Sequence, residues 1–413
     1  MITNSRKETN PLFFRSFQDP SPLNAVLLEL VAKSEAMAPT LTAKNERALL
    51  LARCGAVRKF AGDSAGASAR ASEVKALLAN LDTNEDGALD HAQLAVALLK
   101  AGDSEGAAAQ FAALKKSADN STLESLKLSS LRELAGIYHE AGDDKMARTI
   151  LRPLASEIKR VDGANSSSFA LALYNLAEWG DPDTAEQLAP QHKEAETRAV
   201  VLRKAALALQ KTNLTRAKAL MRRALAISLA DKAKNPGAFH GHVETMALLE
   251  MKAETEALIA KLTTLFPKKS DRDTLAPMLV TCYGAVGNFP KAIALAEKLQ
   301  GKTQNGKLTD LMEQAIRQKN EPVLELLIKK LNARVAQAPE AKKDPSIAPG
   351  VRVLSDIYRL GLSFQQDKLT TVPAQLRALQ SEVEKFTQKD AYEKAAQPLG
   401  IAELAIGLST KKG

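Results

Sequence analysis

A short pattern recurs seven times between residues 62 and 292 of this 413-residue chain. In each copy, a residue pair predicted to form a turn is followed by an alanine five residues after the first member of the pair. The copies are Gly62-Asp63 with Ala67, Gly102-Asp103 with Ala107, Gly142-Asp143 with Ala147, Gly180-Asp181 with Ala185, Thr212-Asn213 with Ala217, Lys252-Ala253 with Ala257, and Gly287-Asn288 with Ala292. Successive copies start 32 to 40 residues apart, and Lys319-Asn320 with Leu324 is a degraded eighth copy. Self-similarity at this period predicts a stack of helical pairs, each of which buries its apolar face against its neighbours.

Each copy is predicted to be a helix, a tight turn and a second helix. In residues 130–158, Leu134 and Tyr138 fall on one face at helical spacing, and apolar residues recur in the same way after the turn. Gly142 can adopt the left-handed conformation that ends a helix, and the carboxylate of Asp143 can cap the next one. The following alanine must be small because the two helices cross most closely there.

These residues resemble the tetratricopeptide repeat family, whose unit is about 34 residues long. The match in one copy consists of Leu134, Ala135, Tyr138, Gly142 and Ala147. Partial matches are Leu279, Tyr283, Gly287 and Ala292, and Leu94, Ala95, Gly102, Ala107 and Phe111. The resemblance covers about residues 45–330, although the spacing often exceeds that of the family and its first-helix Trp is absent. It implies an all-α, right-handed α-solenoid of about seven helix-turn-helix repeats.

The regions outside the repeats suggest four parts. Residues 1–44 are predicted to be an N-terminal arm and one helix, and residues 45–335 the repeat array. Residues 336–350 contain three prolines and are predicted to be a linker. Residues 351–413 are helical in pattern and could form the C-terminal helical cap that an open stack needs.

Composition agrees with close-packed helices in a reducing compartment. Hydrophobic residues make up 45% of the chain but aromatic residues only 4%, so the core must consist mainly of Leu, Ala, Ile and Val. Cys54 and Cys282 each lie inside a helical pattern, as small buried apolar residues would. No apolar run approaches the roughly 18 residues that cross a membrane, and the first 20 residues contain charges and prolines. We therefore expect a soluble cytoplasmic protein without a membrane span.

The segment 82–93 resembles the calcium loop of the EF-hand family. Oxygen atoms suited to calcium stand at alternating positions, and a glycine permits the sharp reversal. The candidate ligands are Asp82, Asn84, Asp86, the carbonyl of Ala88, Asp90 and Gln93. Gln93 stands where the family has a bidentate Glu, so the affinity would be weak, on the order of 10⁻⁴ M. An ordinary connection in which Asp90 caps the next helix is the favoured interpretation; one weakly bound calcium ion is the alternative, and no other cofactor is expected.

Charge is unevenly distributed along the chain. Residues 61–200 contain 14 basic and 22 acidic side chains, whereas residues 201–270 contain 13 basic and 5 acidic ones. The basic stretch includes Arg203, Lys204, Lys211, Arg216, Lys218, Arg222, Arg223, Lys232 and Lys234. Such a cluster could contact a nucleic-acid backbone, but the same 70 residues hold only two aromatic residues on which bases could stack. A solvated outer helix face is therefore favoured, and nucleic-acid binding is the alternative.

No catalytic motif is present in the sequence. The pair His240 and His242 has no third metal ligand nearby and belongs to no His-Glu-x-x-His motif. Gly301-Lys302-Thr303 lacks the first glycine of a phosphate-binding loop, because Ala296 occupies that position. Signatures of nucleophilic hydrolases and dinucleotide-binding folds are also missing. We therefore expect a protein without enzymatic activity.

The resemblance to tetratricopeptide proteins implies a non-catalytic scaffold. In that family the first helix of each pair lines a concave groove that binds an extended or helical segment of a partner protein. The matching groove positions are Lys100, Arg132, His139, Glu140, Glu178, His242, Glu250, Glu313 and Arg317. Their mixed charges indicate no uniform class of ligand. A protein or peptide partner is the main expectation, and a calcium-responsive adaptor is a further alternative.

Overall fold

A computed structural model describes residues 22–81, 90–230, 239–266, 269–337, 347–384 and 391–410. Within these ranges the chain is helical and contains no β-strand, which confirms the all-α prediction. The handedness of the solenoid and its number of repeats stay predictions.

The described ranges contain 20 α-helices. In chain order they are α1 (Pro22–Met37), α2 (Lys44–Phe60), α3 (Ser64–Leu78), α4 (His91–Ala101), α5 (Ser104–Asp119), α6 (Glu124–Glu140), α7 (Asp144–Asp162), α8 (Ser167–Glu178), α9 (Pro182–Leu188), α10 (Ala195–Ala208), α11 (Leu214–Ala230), α12 (His240–Leu248), α13 (Lys252–Leu265), α14 (Lys269–Ala285), α15 (Phe289–Ala296), α16 (Gly301–Arg317), α17 (Glu321–Gln337), α18 (Ile347–Gln365), α19 (Val372–Val383) and α20 (Ala391–Thr410). Short 3₁₀ turns follow α1 and α9.

The repeated turn has one geometry in most copies. Gly142 has φ +86°, and the amide of Asp143 donates to the carbonyl of Tyr138 at 2.8 Å, which closes the end of α6. The Asp143 carboxylate then accepts a hydrogen bond from the amide of Met146 at 2.9 Å and caps α7. Asp or Asn caps the second helix in the same way in seven of the eight copies, at residues 63, 103, 143, 181, 213, 288 and 320. The turn chemistry predicted from the sequence is therefore present.

The small residue after each turn is fully buried. Ala147, Ala217 and Ala292 have no exposed surface, and Ala67 and Ala107 expose 1%. Leu324 of the eighth copy is also buried, so that helix pair accommodates a larger side chain at the same position.

The predicted register of the sixth copy is wrong by two residues. The positive φ lies at Glu250 (φ +57°), α13 begins at Lys252, and Ala257 is exposed. Thr255 takes the buried small position, and its hydroxyl donates to the carbonyl of Met251 at 2.7 Å. The sequence concealed this turn because neither Gly nor Asp marks it.

The described contacts divide the chain into two compact units. Unit 1 comprises residues 1–90, 97–107 and 367–413, and unit 2 comprises residues 91–96 and 108–366. These bounds cut across the sequence-based parts, since residues 351–366 belong to unit 2 and the remaining C-terminal residues to unit 1.

In unit 1 the helices from the two ends of the chain pack together. Helix α20 contacts both α1 and α2, and α19 contacts α1. The Arg53 guanidinium donates to both carboxylate oxygens of Glu403, at 3.0 and 2.6 Å, and to the Tyr392 hydroxyl at 3.0 Å. The buried hydroxyl oxygen of Ser34 accepts the amide of Leu399 at 3.1 Å. Residues more than 330 positions apart thus share one core.

In unit 2 each pair packs against the next. The two helices of a pair contact each other, as in α6 with α7 and α10 with α11, and from α7 onward each second helix contacts the following first helix. The first helices also contact one another in sequence, from α6 to α8, α10, α12, α14, α16 and α18. This side-by-side arrangement produces a row of first helices, hereafter the first-helix surface.

Replacing Ala147 by Leu is expected to destabilise the protein by about 1–3 kcal/mol, because the added methylene groups overpack a helix crossing. The matched control is Ala257→Leu, at an exposed helical position, which should change the free energy of unfolding by less than about 0.5 kcal/mol. Chemical unfolding of the two variants measures the difference. Equal losses would contradict the register described for the sixth copy.

Replacing Ser34 by Ala should cost about 0.5–1.5 kcal/mol, because the buried hydrogen bond from the amide of Leu399 to the Ser34 hydroxyl oxygen is lost. The exposed Ser72→Ala, whose hydroxyl donates only to the carbonyl of Ser68, is the control and should have little effect. Urea unfolding followed by circular dichroism compares them. If the two serine variants were equally stable, the hydrogen bond between Ser34 and Leu399 would contribute nothing to stability.

Candidate functional site

The predicted groove residues have different environments. Glu140, Glu178, Glu313 and Arg317 are exposed on first helices of unit 2, and Arg132 and His139 are partly buried there. Lys100 is exposed in unit 1. Of these residues, Glu178 pairs with Lys204, and Glu313 pairs with Arg317 at 3.7 Å along α16.

His242 and Glu250 do not occupy groove positions. His242 is only 2% exposed, and its Nε2 lies 2.8 Å from the hydroxyl oxygen of the buried Ser228. The two-residue register error explains this difference: His242 precedes the positive-φ residue of its repeat by eight positions, as the buried Leu134 precedes Gly142. Glu250 is itself the turn residue.

The corrected register places other residues of α12 at the groove positions. Arg132 and Glu140 stand ten and two residues before Gly142, and their counterparts before Glu250 are His240 and Leu248. Glu244 lies between them, at the position that Glu313 has relative to Lys319. The Leu248 residue is 40% exposed, so α12 presents an apolar side chain beside two ionisable ones. Sequence reasoning missed these residues of α12 because the turn that sets their register, at Glu250, contains no glycine.

An aromatic pair lies between α6 and α8. The rings of His139 and Trp179 stack with centroids 5.0 Å apart, and His139 Nδ1 is 2.7 Å from the Asp144 carboxylate. Gly136 faces the same indole, since a Cβ there would be 3.8 Å from the Trp179 ring. The His139 imidazole is therefore held in one orientation, with its Nδ1 occupied by Asp144.

A group of polar side chains joins α8, α10 and α12. The Lys204 ammonium pairs with Glu178 and lies 5.7 Å from the centre of the Tyr174 ring. The neighbouring Arg203 reaches across to α12, where its Nη1 is 3.5 Å from the hydroxyl oxygen of Thr245. Helix α10 thus directs two cations toward the first-helix surface, only one of which has a carboxylate partner among the described residues.

The polar group continues toward α16. Gln314 Nε2 donates to the Glu244 carboxylate at 3.4 Å, and His240 Nε2 lies 3.9 Å from the same oxygen. Lys307 donates to the hydroxyl of Thr281 at 3.1 Å and to Asp310 at 2.6 Å. Hydrogen bonds and ion pairs therefore link neighbouring first helices from α8 to α16.

Arginines on the second helices form ion pairs with carboxylates of neighbouring helices. Arg216 pairs with Asp183 at 2.6 Å and with Glu186 at 2.7 Å, and Arg223 also pairs with Glu186. Burial alone would raise the pKa of Glu186, but hydrogen bonds from the two arginines outweigh it and lower that pKa. Arg222 pairs with Glu254 of α13 at 2.9 Å. Much of the basic stretch is thus neutralised by acidic residues of adjacent pairs, whereas Lys232 and Lys234 lie outside the described residues.

The calcium-loop prediction falls mainly outside the described ranges, which exclude Asp82, Asn84, Asp86 and Ala88. Asp90 and Gln93 are described and exposed at the start of α4. No cluster of three or more His, Cys, Asp or Glu side chains suited to a metal occurs in the described part of the chain. Calcium binding therefore stays a prediction.

The two cysteines are buried. Burial raises the pKa of the Cys54 thiol strongly and that of Cys282 to about 12. Both thiols are therefore protonated at neutral pH, and neither is a ready nucleophile.

Among the helices in the described ranges, none combines the length and apolarity needed to cross a membrane. No protein-family model matches this sequence, and no curated protein matches it.

Acidification is expected to destabilise the protein through His242. Burial, assisted by the charge of Arg203, lowers the pKa of His242 to about 4, whereas the unfolded side chain titrates near 6.5. The unfolded state therefore binds more protons between these values, and this contribution to stability is lost as the pH falls through that window. From pH 7 to pH 5 the loss should be about 2 kcal/mol.

Urea unfolding at pH 7 and pH 5 measures this contribution when the wild type is compared with His242→Gln. The variant should lose about 2 kcal/mol less between the two pH values, because Gln does not titrate. An identical pH dependence of both proteins would mean that folding does not lower the pKa of His242.

Proposed function

We propose that the protein is a non-catalytic scaffold that binds a segment of a partner protein along the first-helix surface of unit 2. The observation that carries the proposal is a pair of buried polar atoms on this surface, Arg132 Nε and His240 Nε2, which have no hydrogen-bond partner among the described groups. A buried polar atom without a partner costs about 1–3 kcal/mol. Both residues expose other side-chain atoms, so a bound segment that contacts and reorients these side chains would supply the missing acceptors and recover that free energy.

The exposed apolar group on α12 supports the same proposal. Leu248 is 40% exposed beside His240 and Glu244, so this part of the surface combines an apolar contact with groups able to form hydrogen bonds. Protein interfaces commonly combine apolar contacts with polar groups at their rim.

The ion pairs of the second helices favour a protein over a nucleic acid as the partner. Arg216, Arg222 and Arg223 are already held by carboxylates, and they would have to be released before they could contact phosphates. Nucleic-acid binding would therefore be weaker than the basic composition of residues 201–270 indicates.

The proposal is tested by the substitution Leu248→Asp, which should weaken partner binding by about tenfold or more. The matched control is Leu265→Asp, because Leu265 is equally exposed, at 42%, but lies on the second helix α13. Immobilised wild type and both variants are compared by affinity capture with quantitative mass spectrometry. A partner retained by Leu265→Asp and depleted by Leu248→Asp supports the proposed surface.

Equal capture by all three proteins would contradict the first-helix surface as the binding site. A salt titration of binding to generic RNA and DNA tests the nucleic-acid alternative. Strong binding that falls steeply with salt would favour that alternative, because it indicates phosphate contacts.

A further inference from the structure

Arg203 is an unusual cation within unit 2. It is partly buried on α10, and none of the ion pairs between described residues includes it. Burial lowers the pKa of Arg203, and the more distant charges of Glu244 and Glu178 only partly oppose this effect. Lys204, one residue along the chain, has Glu178 as a close partner. The positive charge of Arg203 is therefore partly removed from water without a directly paired carboxylate, which is unfavourable.

A glycine in α12 leaves the space that the Arg203 guanidinium occupies. Gly241 lies in the first turn of this helix, and a Cβ at that position would be 2.7 Å from Arg203 Cζ and 2.9 Å from Nη1. Any other residue there would therefore displace the guanidinium. The only hydrogen bond of Arg203 among the described groups is the 3.5 Å contact of Nη1 with Thr245, at the limit of hydrogen-bond distance.

The first turn of α12 adds positive potential at the same point. Its N-cap residue, Phe239, has no side chain that can accept a hydrogen bond, and the N-terminal end of a helix carries partial positive charge. A cation beside this end is unfavourable, whereas an anion is favourable.

The acidic residue of α12, Glu244, interacts with residues other than Arg203. Glu244 lies between His240 Nε2 at 3.9 Å and Gln314 Nε2 at 3.4 Å, and it forms no ion pair with Arg203. The His240 and Glu244 side chains are 34% and 29% exposed, so solvent and ligands reach this end of α12.

We propose that Arg203 anchors a binding site for an anionic oxygen group, a phosphate or a carboxylate, between α10 and α12 on the first-helix surface. A guanidinium forms two parallel hydrogen bonds with such a group, and the partly exposed imidazole of His240 lies at the same end of α12. The anion has two sources, a free small anion or the acidic side chain of a bound segment. Only the second source rests on the proposed scaffold function.

A purely structural role makes a different prediction for Arg203→Met. If Arg203 only fills space over Gly241, its replacement removes packing and lowers the melting temperature. If it is kept for an anion, the ligand-free variant loses an uncompensated buried charge and melts at the same or a higher temperature.

The experiment compares wild type, Arg203→Met and Lys211→Met, an exposed basic residue of the same stretch that serves as the control. Melting temperatures are measured in sodium phosphate and in sodium chloride of equal ionic strength. Calorimetric titration with an acetylated and amidated tetraglutamate peptide forms the second arm. Wild type and Lys211→Met should melt about 2–4 °C higher in saturating phosphate than in chloride, or should bind the peptide. The affinity of Arg203→Met for the same probe should be at least about tenfold lower.

A response to phosphate alone identifies a small-anion site, and tighter binding of the peptide identifies an acidic segment; both support the proposal. The absence of any wild-type response to either probe would overturn it, as would an undiminished response of Arg203→Met. Arg203→Lys keeps the charge without the planar fork, so an intermediate affinity is expected even if the Met variant folds poorly. Leu248→Asp is measured in both experiments to separate this inference from the scaffold proposal. The two proposals are distinguished if this variant loses the anion response but still captures the partner, or if it loses partner capture but keeps the anion response.

Discussion

The close crossing of two helices at a buried small residue is the constraint on which the rest of this structure depends. Ala147 and its counterparts have almost no exposed surface, and the turn between α6 and α7 reverses the chain within residues 141–143. The left-handed residue ends one helix and the Asp or Asn side chain starts the next, so the geometry of a pair is set locally. Because each pair leaves an apolar face uncovered, packing against further helices is required for stability.

This arrangement gives the two rows of helices in unit 2 different electrostatic roles. On the second helices, arginines pair with carboxylates of adjacent pairs, as Arg216 does with Glu186, and such pairs fix the spacing of neighbours. On the first helices, several groups keep unused hydrogen-bonding capacity, including Arg132 Nε and His240 Nε2. Unpaired buried polar groups are costly, so these two atoms are the physical basis for expecting a ligand at the first helices, although unit 1 also contains such atoms, at Arg47 and Gln375.

In unit 1 the same packing requirement is met by distant parts of the chain. The apolar face of α1, with Leu27 and Leu30 fully buried, is covered in part by α19 and α20. The Arg53–Glu403 pair and the Ser34–Leu399 hydrogen bond hold this contact in register. The C-terminal helices are divided between the two units: α18 packs in unit 2 against α16 and α17, whereas α19 and α20 pack in unit 1.

The sequence by itself determined the helical class and most of the turns, because left-handed glycine and carboxylate capping depend on residues next to each other in the chain. It failed at Glu250, where neither Gly nor Asp marks the turn, and that two-residue error moved His242 from the core to the predicted groove. Only the tertiary structure showed that Glu186 pairs with two arginines while Arg203 lies unpaired against Gly241. Whether a charged side chain finds a partner depends on distances between residues that are 30 or more positions apart in the chain. Composition and periodicity do not encode these distances.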